Sequence, residues 1–412
     1  MPKPDPYIAA VDVGSSKIGV LIGQRTEEGS LEVVGKGSAA NRGSRKGNVV
    51  NVESTVEALK QAVDQAEVMA GVEISRAYVG VAGSDIRSVN SRGMVSVARN
   101  DREIGRSDIA RVLEAAQSAA IPSDREILHA IVREFIVDEQ EGIAEPLSMQ
   151  GSRLEVAVHL VTGNRTRTKT LLTCINRAGI EVVEMVFEPL ATAEAVMTHD
   201  ETELGALLID VGSGTTEYAL FIEGEVLISA VLPIGSSHFT NDIAMVLRTP
   251  FAEAERLKIE HGCCLEGLLD AHEGVSVPAV ADGPVRVVPK RELCEIMQAR
   301  AEELFSLVRQ DLDRNGAAEC LRGGMVLTGG GAKLDGLAEL GEQVFNCSVR
   351  YGLPQGLGGL VDVISSPAWC TASGLLLYGR AAEEDHERNR KRAPFSVRQM
   401  VGSLRSLFSD LV

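Results

Sequence analysis

The feature that most constrains the fold is a pattern that occurs twice. Residues 8–23 and 207–222 each consist of an apolar segment, a turn rich in glycine and hydroxyl side chains, and a second apolar segment. A third apolar stretch follows each copy, at residues 31–37 and 226–232. Short apolar segments bounded by turn residues are typical of buried strands, so each copy predicts a β-meander. The repeat indicates two related α/β halves with a ligand-binding cleft between them.

Both meanders contain the same polar turn, Asp-Val-Gly-Ser, which begins at Asp12 in the first copy and at Asp210 in the second. Glycine lets the backbone approach a phosphate closely, and the successive N–H groups of such a turn form an anion-binding nest. The two aspartates would repel that phosphate unless a cation lay between them, which predicts Mg²⁺ held largely through water. The residues predicted to hold the phosphates are Gly14, Ser15, Ser16, Lys17, Gly212, Ser213, Gly214, Thr215 and Thr216.

A single turn of this kind is also compatible with a plain β-hairpin, and it is the matched pair that favours a bound nucleotide, ATP. A third glycine turn supports this interpretation, since Gly329, Gly330 and Gly331 follow an apolar segment and precede a helical pattern. Three consecutive glycines let the backbone pass beside a nucleoside or an α-phosphate. A tight connection between a strand and a helix is the alternative.

Charge and composition limit which ligands the protein can bind and in which compartment it is expected. The formal net charge is −17 and no basic patch stands out before the C-terminal region, which excludes a nucleic-acid groove. The seven cysteines include no Cys-x-x-Cys pair, so we expect free thiols in a reducing cytosol. No apolar segment reaches the roughly 20 residues that span a bilayer, and no signal peptide is evident. We therefore expect a cytoplasmic or membrane-peripheral protein.

At 412 residues the chain is too long for one ordinary core, which predicts several domains. Helical patterns occupy residues 54–70, 107–120, 241–259 and 253–260, and a strand pattern occupies residues 125–137. Two stretches of different character interrupt the halves, and the second contains a loop rich in Gly, Pro and Val at residues 274–289. The predicted ranges are 7–83, 162–203 and 360–380 for the first half, 84–161 for its insertion, 204–232 and 305–359 for the second half, and 233–304 for its insertion.

The order of the three turns resembles that of the superfamily that contains actin, heat-shock chaperones and sugar kinases. Residues 187–191, Phe-Glu-Pro-Leu-Ala, resemble its first connecting motif. A narrower similarity, to the FtsA family of bacterial actin-like cell-division proteins, rests on residues 234–244 (Ile-Gly-Ser-Ser-His-Phe-Thr-Asn-Asp-Ile-Ala), 247–250 and 254–258. It extends over about residues 7–380. It implies an actin-like α/β fold with two related domains around a nucleotide cleft, each with an inserted subdomain.

The resemblance also implies roles for single residues. Asp12 and Asp210 would face the Mg²⁺, and Glu188 would position the water for ATP hydrolysis, which would be slow at most. Glu255 and Lys258 would contact the ribose or adenine, beside the three glycines of the third turn. Other interpretations stay open, because Glu255 and Lys258 also form an ordinary i,i+3 helix pair and Glu188 precedes a helix N-terminus that favours anions.

Partners follow from the same resemblance. Residues 233–304 would dock the C-terminal tail of FtsZ, the tubulin-like protein of the division ring, and residues 84–161 would contact other division proteins. The basic side chains of Arg286, Lys290 and Arg291 would meet acidic groups of the FtsZ tail, or they form a solvated surface. The protein would also assemble with itself into filaments.

The end of the chain differs from the rest. Residues 381–394 are highly charged and lack large apolar side chains that could anchor them, which predicts a flexible linker. Residues 395–412 would form an amphipathic helix. Its apolar face would consist of Val397, Met400, Val401, Leu404, Leu407, Phe408 and Leu411. Such a helix, flanked by basic residues, is typical of segments that lie in the headgroup layer of an anionic membrane. Docking on the globular body or on a partner is the alternative.

These features predict an ATP-binding, self-assembling protein that tethers the FtsZ ring to the cytoplasmic face of the inner membrane at the division site. The protein would also help to recruit later division proteins, and its role would be mainly structural. A small-molecule kinase of the same superfamily and a pilus-assembly relative of the FtsA family stay open as alternatives.

Overall fold

The first half begins with the predicted antiparallel meander. The computed structural model describes residues 6–98, 101–118, 121–269, 273–280 and 283–391. Its first elements are β1 (Tyr7–Val13), β2 (Lys17–Arg25), β3 (Leu31–Ala40), β4 (Ser44–Arg45), β5 (Asn48–Val49), α1 (Val52–Ala70) and β6 (Arg76–Val81). Helix α1 starts two residues before the predicted start because the Asn51 side chain accepts a hydrogen bond from the backbone N–H of Ser54. The helix packs closely on β3, since a Cβ on Gly37 would lie 1.7 Å from the carbonyl oxygen of Ala62.

The first insertion forms a four-stranded antiparallel sheet covered by one helix. Its elements are β7 (Arg87–Ser96), α2 (Arg106–Ser118), β8 (Arg125–Val137), β9 (Gln140–Ile143) and β10 (Arg153–Asn164). The strands lie in the order β7-β10-β8-β9. The strand predicted at residues 125–137 is confirmed, and the helix predicted at 107–120 is present up to Ser118, the last described residue before 121. Because helix and sheet enclose their own apolar core, this insertion is a separate subdomain.

The chain then returns to the first sheet. The elements of this return are α3 (Arg165–Arg177), β11 (Glu181–Phe187), α4 (Glu188–Val196) and α5 (His199–Leu204). Strand β11 pairs in parallel with β6, which pairs in parallel with β1. Helix α4 begins directly where β11 ends, with Pro189 in its first turn, where a missing N–H costs nothing. Glu188 therefore lies close to the end of β1.

The second half repeats the meander and then departs from the prediction. Its elements up to the long helix are β12 (Ala206–Val211), β13 (Thr216–Ile222), β14 (Glu225–Leu232), α6 (Ser236–Val246), α7 (Phe251–His261), β15 (Gly274–Val277), β16 (Arg286–Pro289) and α8 (Lys290–Arg314). The single helix predicted at residues 241–259 is wrong. The chain breaks it between α6 and α7, where Arg248 has a left-handed φ of 46° and Pro250 cannot continue a helix.

Two further details of the second insertion differ from the prediction. The loop predicted at residues 274–289 contains the paired strands β15 and β16. The predicted boundary at residue 304 falls inside α8, whose buried face continues to Leu312. Apolar periodicity, not a change of domain, determines where this helix ends.

The remainder of the chain completes both sheets. Its elements are β17 (Gly324–Thr328), α9 (Leu337–Phe345), β18 (Val349–Tyr351), β19 (Gly358–Gly359), α10 (Val361–Ile364) and α11 (Cys370–Lys391). The first sheet has the order β11-β6-β1-β2-β3-β19, and the second has the order β14-β13-β12-β17-β18. Since β19 joins the first sheet, the return to the first half precedes the predicted residue 360.

Helix α11 extends through most of the predicted linker. Residues 381–391 are helical, not flexible, and residues 392–394 with the predicted membrane segment lie outside the described part of the chain. Ala381 and Ala382 favour a helix. Glu383 also pairs with the guanidinium of Arg25 on β2 at 2.7 Å, which holds this turn against the first sheet. No helix in the described residues is both long and apolar enough to cross a membrane.

Helices α4 and α11 cross between the two sheets and pack on both of them. Ala191 and Leu375 contact the core of the first sheet, whereas Val196 and Leu377 contact that of the second. The crossing is tight, because a Cβ on Gly374 would lie 1.7 Å from the carbonyl oxygen of Ala191. This pair of helices places the ends of β1 and β12 opposite each other.

A polar seam, buried at His159 and Ser229, also joins the first insertion to the second half. On the insertion, Ser88 donates to the carbonyl oxygen of Ser229 and Asn90 Nδ2 donates to that of Leu227 at 3.0 Å. His159 Nδ1 lies 2.7 Å from Asn90 Oδ1, and His159 Nε2 lies 2.8 Å from Ser229 Oγ. The seam therefore connects β7 and β10 to β14, an edge strand of the second sheet.

Candidate functional site

The two repeated turns touch each other. A Cβ on Gly214 would lie 2.5 Å from Ser15 Oγ, so only glycine lets the second turn approach the first this closely. Ser15 Oγ accepts a hydrogen bond from the N–H of Gly47, on the β4–β5 hairpin, at 2.8 Å. The turns thus form one continuous wall at the junction of the halves.

The third glycine turn closes the same junction from the second half. Gly329 has a left-handed φ of 85°, and a Cβ there would lie 2.2 Å from Asp210 Oδ1. A Cβ on Gly331 would lie 2.5 Å from the Val211 side chain. The three predicted turns are therefore brought together, with the third packed directly on the second.

Four carboxylates meet where the turns converge. Burial, followed by the charge of Asp12, raises the pKa of Asp210 to about 7. Burial, followed by the charge of Asp210, raises the pKa of Glu217 to about 8. Burial and then Asp12, Glu217 and Asp210 raise the pKa of Glu188 well above its ordinary value. Burial also raises the pKa of Asp12, against the charge of Lys17. A cation beside these four carboxylates would favour their ionised forms.

The donor set fits Mg²⁺ bound through water. All four side chains offer oxygen, the atom that Mg²⁺ prefers. Glu217 is only 3% exposed, and its Oε1 atom has no hydrogen-bond partner among the described residues. Those residues contain no group of three or more His, Cys, Asp or Glu side chains arranged to chelate a metal directly. The unpartnered Glu217 oxygen could accept a hydrogen bond from a water of the ion's hydration shell.

Lys17 lies against the start of α11. Its ammonium donates to the carbonyl oxygen of Ala368 at 2.7 Å and lies 3.9 Å from the centre of the Trp369 ring. Burial lowers the pKa of Lys17, and the charge of Asp12 opposes this shift. Neither Ala368 nor Trp369 is part of the predicted site.

The hydroxyl side chains of the second turn have different roles. Thr216 is fully buried, and its hydroxyl donates to the carbonyl oxygen of Ile234 at 2.8 Å. This bond connects β13 to the turn that follows β14. The Thr215 side chain hydrogen-bonds to Glu217. Thr216 is thus a structural residue in this fold, unlike its predicted role as a donor to phosphate.

Glu255 and Lys258 lie on α7, beside the second turn. The Lys258 ammonium donates to Glu255 Oε2 at 2.8 Å, to Thr240 Oγ1 at 2.9 Å and to the carbonyl oxygen of Ser236 at 3.2 Å. The N–H of Ser236 in turn donates to the carbonyl oxygen of Gly212. The i,i+3 pair is therefore present. Because the three bonds use all the donors of the Lys258 ammonium, a contact between Lys258 and a ribose requires exchange of one of them.

The three basic residues that were predicted to meet the FtsZ tail are paired within the chain. Arg286 donates to the carbonyl oxygen of Leu247, Lys290 Nζ lies 2.7 Å from Glu273, and Arg291 Nη2 lies 2.7 Å from Glu266. Several apolar side chains of the second insertion are exposed. They include Met245, Val246, Phe251, Val285 and Val287.

Sequence reasoning missed Glu217, although a signal was present. Glu217 is the one charged residue of β13, and it pairs in register with Asp210. In the first copy the partner of Asp12 is Gly19, so the repeat itself does not predict a carboxylate there. The expectation of free thiols agrees with the structure, in which all seven cysteines are unpaired.

Two family models match the chain. "Cell division protein FtsA" matches residues 207–374, and "SHS2 domain inserted in FTSA" matches residues 83–162, one residue beyond each end of the predicted insertion. Solved structures share the fold at low identity. The PilM–PilN type IV pilus biogenesis complex matches with a TM-score of 0.65 and 16% identity over 90% of this chain and 98% of that one. MreB 5 of Spiroplasma citri bound to AMPPNP matches with a TM-score of 0.58 and 14% identity over 94% and 100%.

Curated relatives match nearly the whole chain. Cell division protein FtsA of Pseudomonas aeruginosa is 46% identical over 378 residues, which cover 92% of this chain and 90% of that protein. The FtsA proteins of Neisseria meningitidis and Escherichia coli K12 are 41% and 34% identical, over 90% and 97% of this chain and 89% and 96% of their own. With its actin-like fold and inserted subdomain, the chain belongs to the FtsA family of cell division proteins.

Proposed function

We propose that this cell division protein binds Mg²⁺–ATP, assembles with itself, and tethers the FtsZ ring to the cytoplasmic face of the inner membrane, where it helps to recruit later division proteins. Membership of the FtsA family supports this role over the two alternatives, a small-molecule kinase and a pilus-assembly protein. The observation that carries the nucleotide part is the convergence of three glycine turns and four carboxylates between the two halves.

Each part of the junction has a role in this proposal. Backbone N–H groups of residues 14–17 and 212–215 hold the phosphates, and residues 329–331 lie beside the adenosine. Asp12 and Asp210 face a hydrated Mg²⁺, which would neutralise the charge of the carboxylates and phosphates. Glu188, at the start of α4, would orient a water toward the terminal phosphate. Related solved structures support a nucleotide ligand, because MreB 5 of Spiroplasma citri is bound to AMPPNP in one of them.

Two parts of the chain would share the tethering: the second insertion would bind FtsZ, and the C-terminal segment would bind the membrane. Exposed Val285 and Val287 flank Arg286 on the second insertion, a combination that fits a peptide with apolar and acidic side chains such as the FtsZ tail. The predicted amphipathic segment, residues 395–412, follows α11 closely. One such helix binds a membrane reversibly, whereas many on one filament bind firmly through effective concentration.

Electron microscopy on lipid monolayers tests the whole proposal. The full chain and a chain that lacks residues 395–412 are compared, each with Mg²⁺–ATP, with ATP and EDTA, and without nucleotide. We expect membrane-attached filaments with the full chain and Mg²⁺–ATP. Phosphorylation of a small metabolite would contradict the proposal, as would equal filament coverage without residues 395–412. Equal liposome affinity of a polymerisation-defective variant would disprove the coupling of assembly to membrane binding.

A further inference from the structure

Residues 367–371, hereafter the junction segment, contact all three glycine turns. The segment includes a short 3₁₀ turn and the start of α11. Its contacts are Lys17 Nζ to Ala368 O at 2.7 Å, Thr371 Oγ1 to Asp210 Oδ2 at 3.2 Å, and Thr328 Oγ1 to Pro367 O at 3.5 Å. One short stretch of chain thus holds a cationic and an anionic side chain of the site.

Trp369 forms the surface on which the Lys17 ammonium lies. The ring is 7% exposed, and it packs against Gly19, where a Cβ would lie 3.1 Å from Trp369 Cζ3. A cation 3.9 Å from the ring centre lies well within the range of a cation–π interaction. The carbonyl of Ala368 uses one of three ammonium donors, so donor capacity remains for a phosphate oxygen. The ring and the carbonyl together fix the position of the charge.

Thr371 holds Asp210 in a corresponding way. Its hydroxyl donates to Asp210 Oδ2, and Thr192 Oγ1 lies 3.0 Å from Thr371 Oγ1. All three side chains are buried, and the two threonines belong to the crossing helices α11 and α4. Hydrogen bonds to Oδ2 orient the carboxylate, whose other oxygen lies beside Gly329.

We propose that the junction segment positions both charged groups of the nucleotide site. Trp369 orients the Lys17 ammonium toward a phosphate, and Thr371 orients the Asp210 carboxylate toward the hydrated cation. Both are positioning residues, since each acts through another side chain. This inference rests on the proposed binding of Mg²⁺–nucleotide and adds the residues that prepare the chain for it.

The first test compares the affinities for ADP and adenosine by titration calorimetry in Trp369→Leu and Trp369→Phe. Loss of the cation–π interaction in Trp369→Leu should weaken ADP binding by about tenfold. Adenosine has no phosphate, so its affinity should stay within about twofold, and Trp369→Phe should retain most of the ADP affinity. Equal losses for ADP and adenosine would mean that the ring only supports the fold.

A matched control and a double mutant separate positioning from packing. The Lys36 ammonium lies 4.5 Å from the centre of the same ring but donates to Val363 O, away from the turns. Lys36→Met should leave the ADP-to-adenosine affinity ratio unchanged, whereas Lys17→Met should lower it. In the Lys17→Met background, Trp369→Leu should lower this ratio no further, and additive losses would overturn the role of Trp369.

The second test measures the affinity for ADP with Mg²⁺ and with EDTA in Thr371→Val and Thr371→Ser. The valine variant keeps the shape but loses the donor, and it should lose about five- to tenfold of the affinity only when Mg²⁺ is present. The serine variant should restore the Mg²⁺ dependence. Equal losses in both conditions, or failure of serine to restore it, would overturn the role of Thr371.

Intrinsic fluorescence gives an independent readout, because Trp369 is the only tryptophan of the chain. ADP should change its emission in the wild type and much less in Lys17→Met at saturating ADP. If the wild type binds ADP by calorimetry without these differences, the positioning role fails while the proposed function survives. If the wild type binds no nucleotide, the proposed function fails and this inference with it.

Discussion

At the scale of single residues, Asp210 and Glu217 lie opposite each other on neighbouring strands. The register of β12 and β13 pairs them directly. Like charges in directly opposed positions destabilise a sheet, and burial adds to that cost. This arrangement persists in an otherwise apolar pair of strands, which is the pattern expected when charges serve a ligand rather than the fold.

Glu217→Gln should therefore stabilise the protein at high pH without divalent cations. The pKa of Glu217 is raised to about 8, so the folded state keeps a proton that the unfolded state loses above its ordinary pKa. The free energy of unfolding should consequently fall as the pH rises from 4.5 to 8, and Glu217→Gln should remove roughly 2 to 4 kcal/mol of that fall. Urea unfolding in EDTA at pH 5 and pH 8 measures the difference. If the free energy of unfolding depends on pH equally in the variant and the wild type, the raised pKa of Glu217 is contradicted.

Asp12→Asn tests whether the nucleotide binds together with Mg²⁺ at this site. Removing this carboxylate should weaken binding of Mg²⁺–ATP by about 10- to 100-fold, because a charged acceptor of the ion's water shell is lost. Binding of ATP in EDTA should stay the same or improve, since a negative charge near the phosphates is removed. Calorimetry with and without Mg²⁺ separates the two effects. A loss that is equal in both conditions would indicate a damaged fold.

At the scale of secondary structure, the crossing of α4 and α11 depends on one glycine. A Cβ on Gly374 would overlap the backbone of Ala191, and neither helix can move without disturbing a sheet. Gly374→Ala should lower the free energy of unfolding by about 3 kcal/mol or more. Gly267→Ala is the matched control, because that site has open space around it and a near-neutral effect is expected. Thermal or urea unfolding of both variants decides the matter.

The exposed strand β16 provides the corresponding prediction for partner binding. Val287 is 71% exposed beside Arg286, whose guanidinium is already bound to the chain. Apolar contact should therefore dominate docking, and Val287→Glu should weaken binding of a synthetic FtsZ C-terminal peptide by about tenfold. Val68→Glu, at a position on α1 that is 84% exposed, should have no effect. Fluorescence anisotropy with a labelled peptide compares the two, and equal affinities would remove β16 from the docking surface.

At the scale of the whole molecule, the halves are joined by the helix crossing and by the polar seam of His159. Burial, followed by the charge of Arg133, lowers the pKa of His159 to about 4, so the folded state holds a neutral ring. Below its ordinary pKa of 6.5 the unfolded state binds a proton that the folded state does not. The free energy of unfolding should thus fall as the pH drops from 6.5 to 4, by about 2 kcal/mol more in the wild type than in His159→Gln. Parallel urea unfolding curves would contradict this.

Under the proposed function, these connections between the halves would couple the nucleotide cleft to assembly. Nucleotide bound between Asp12 and Asp210 would contact both halves, whose relative angle is limited by the crossing helices and the seam. Under the same proposal, hydrolysis would be secondary to the setting of that angle. The hydrogen bonds between the first insertion and the second half would then have a role. A change in the angle between the halves would move the exposed surface of the first insertion.

The sequence by itself determined the features that depend on neighbouring residues. Strand–turn–strand periodicity and glycine turns are local, so the duplicated meanders and the first insertion could be predicted, and the family motifs identified the fold. The tertiary structure alone decided which distant side chains meet. Lys17 and Ala368 are separated by 351 positions. Glu217 joined the site through strand register, and the basic residues that were predicted to meet the FtsZ tail found partners within the chain. Such contacts depend on how helices and sheets pack, which no local pattern encodes.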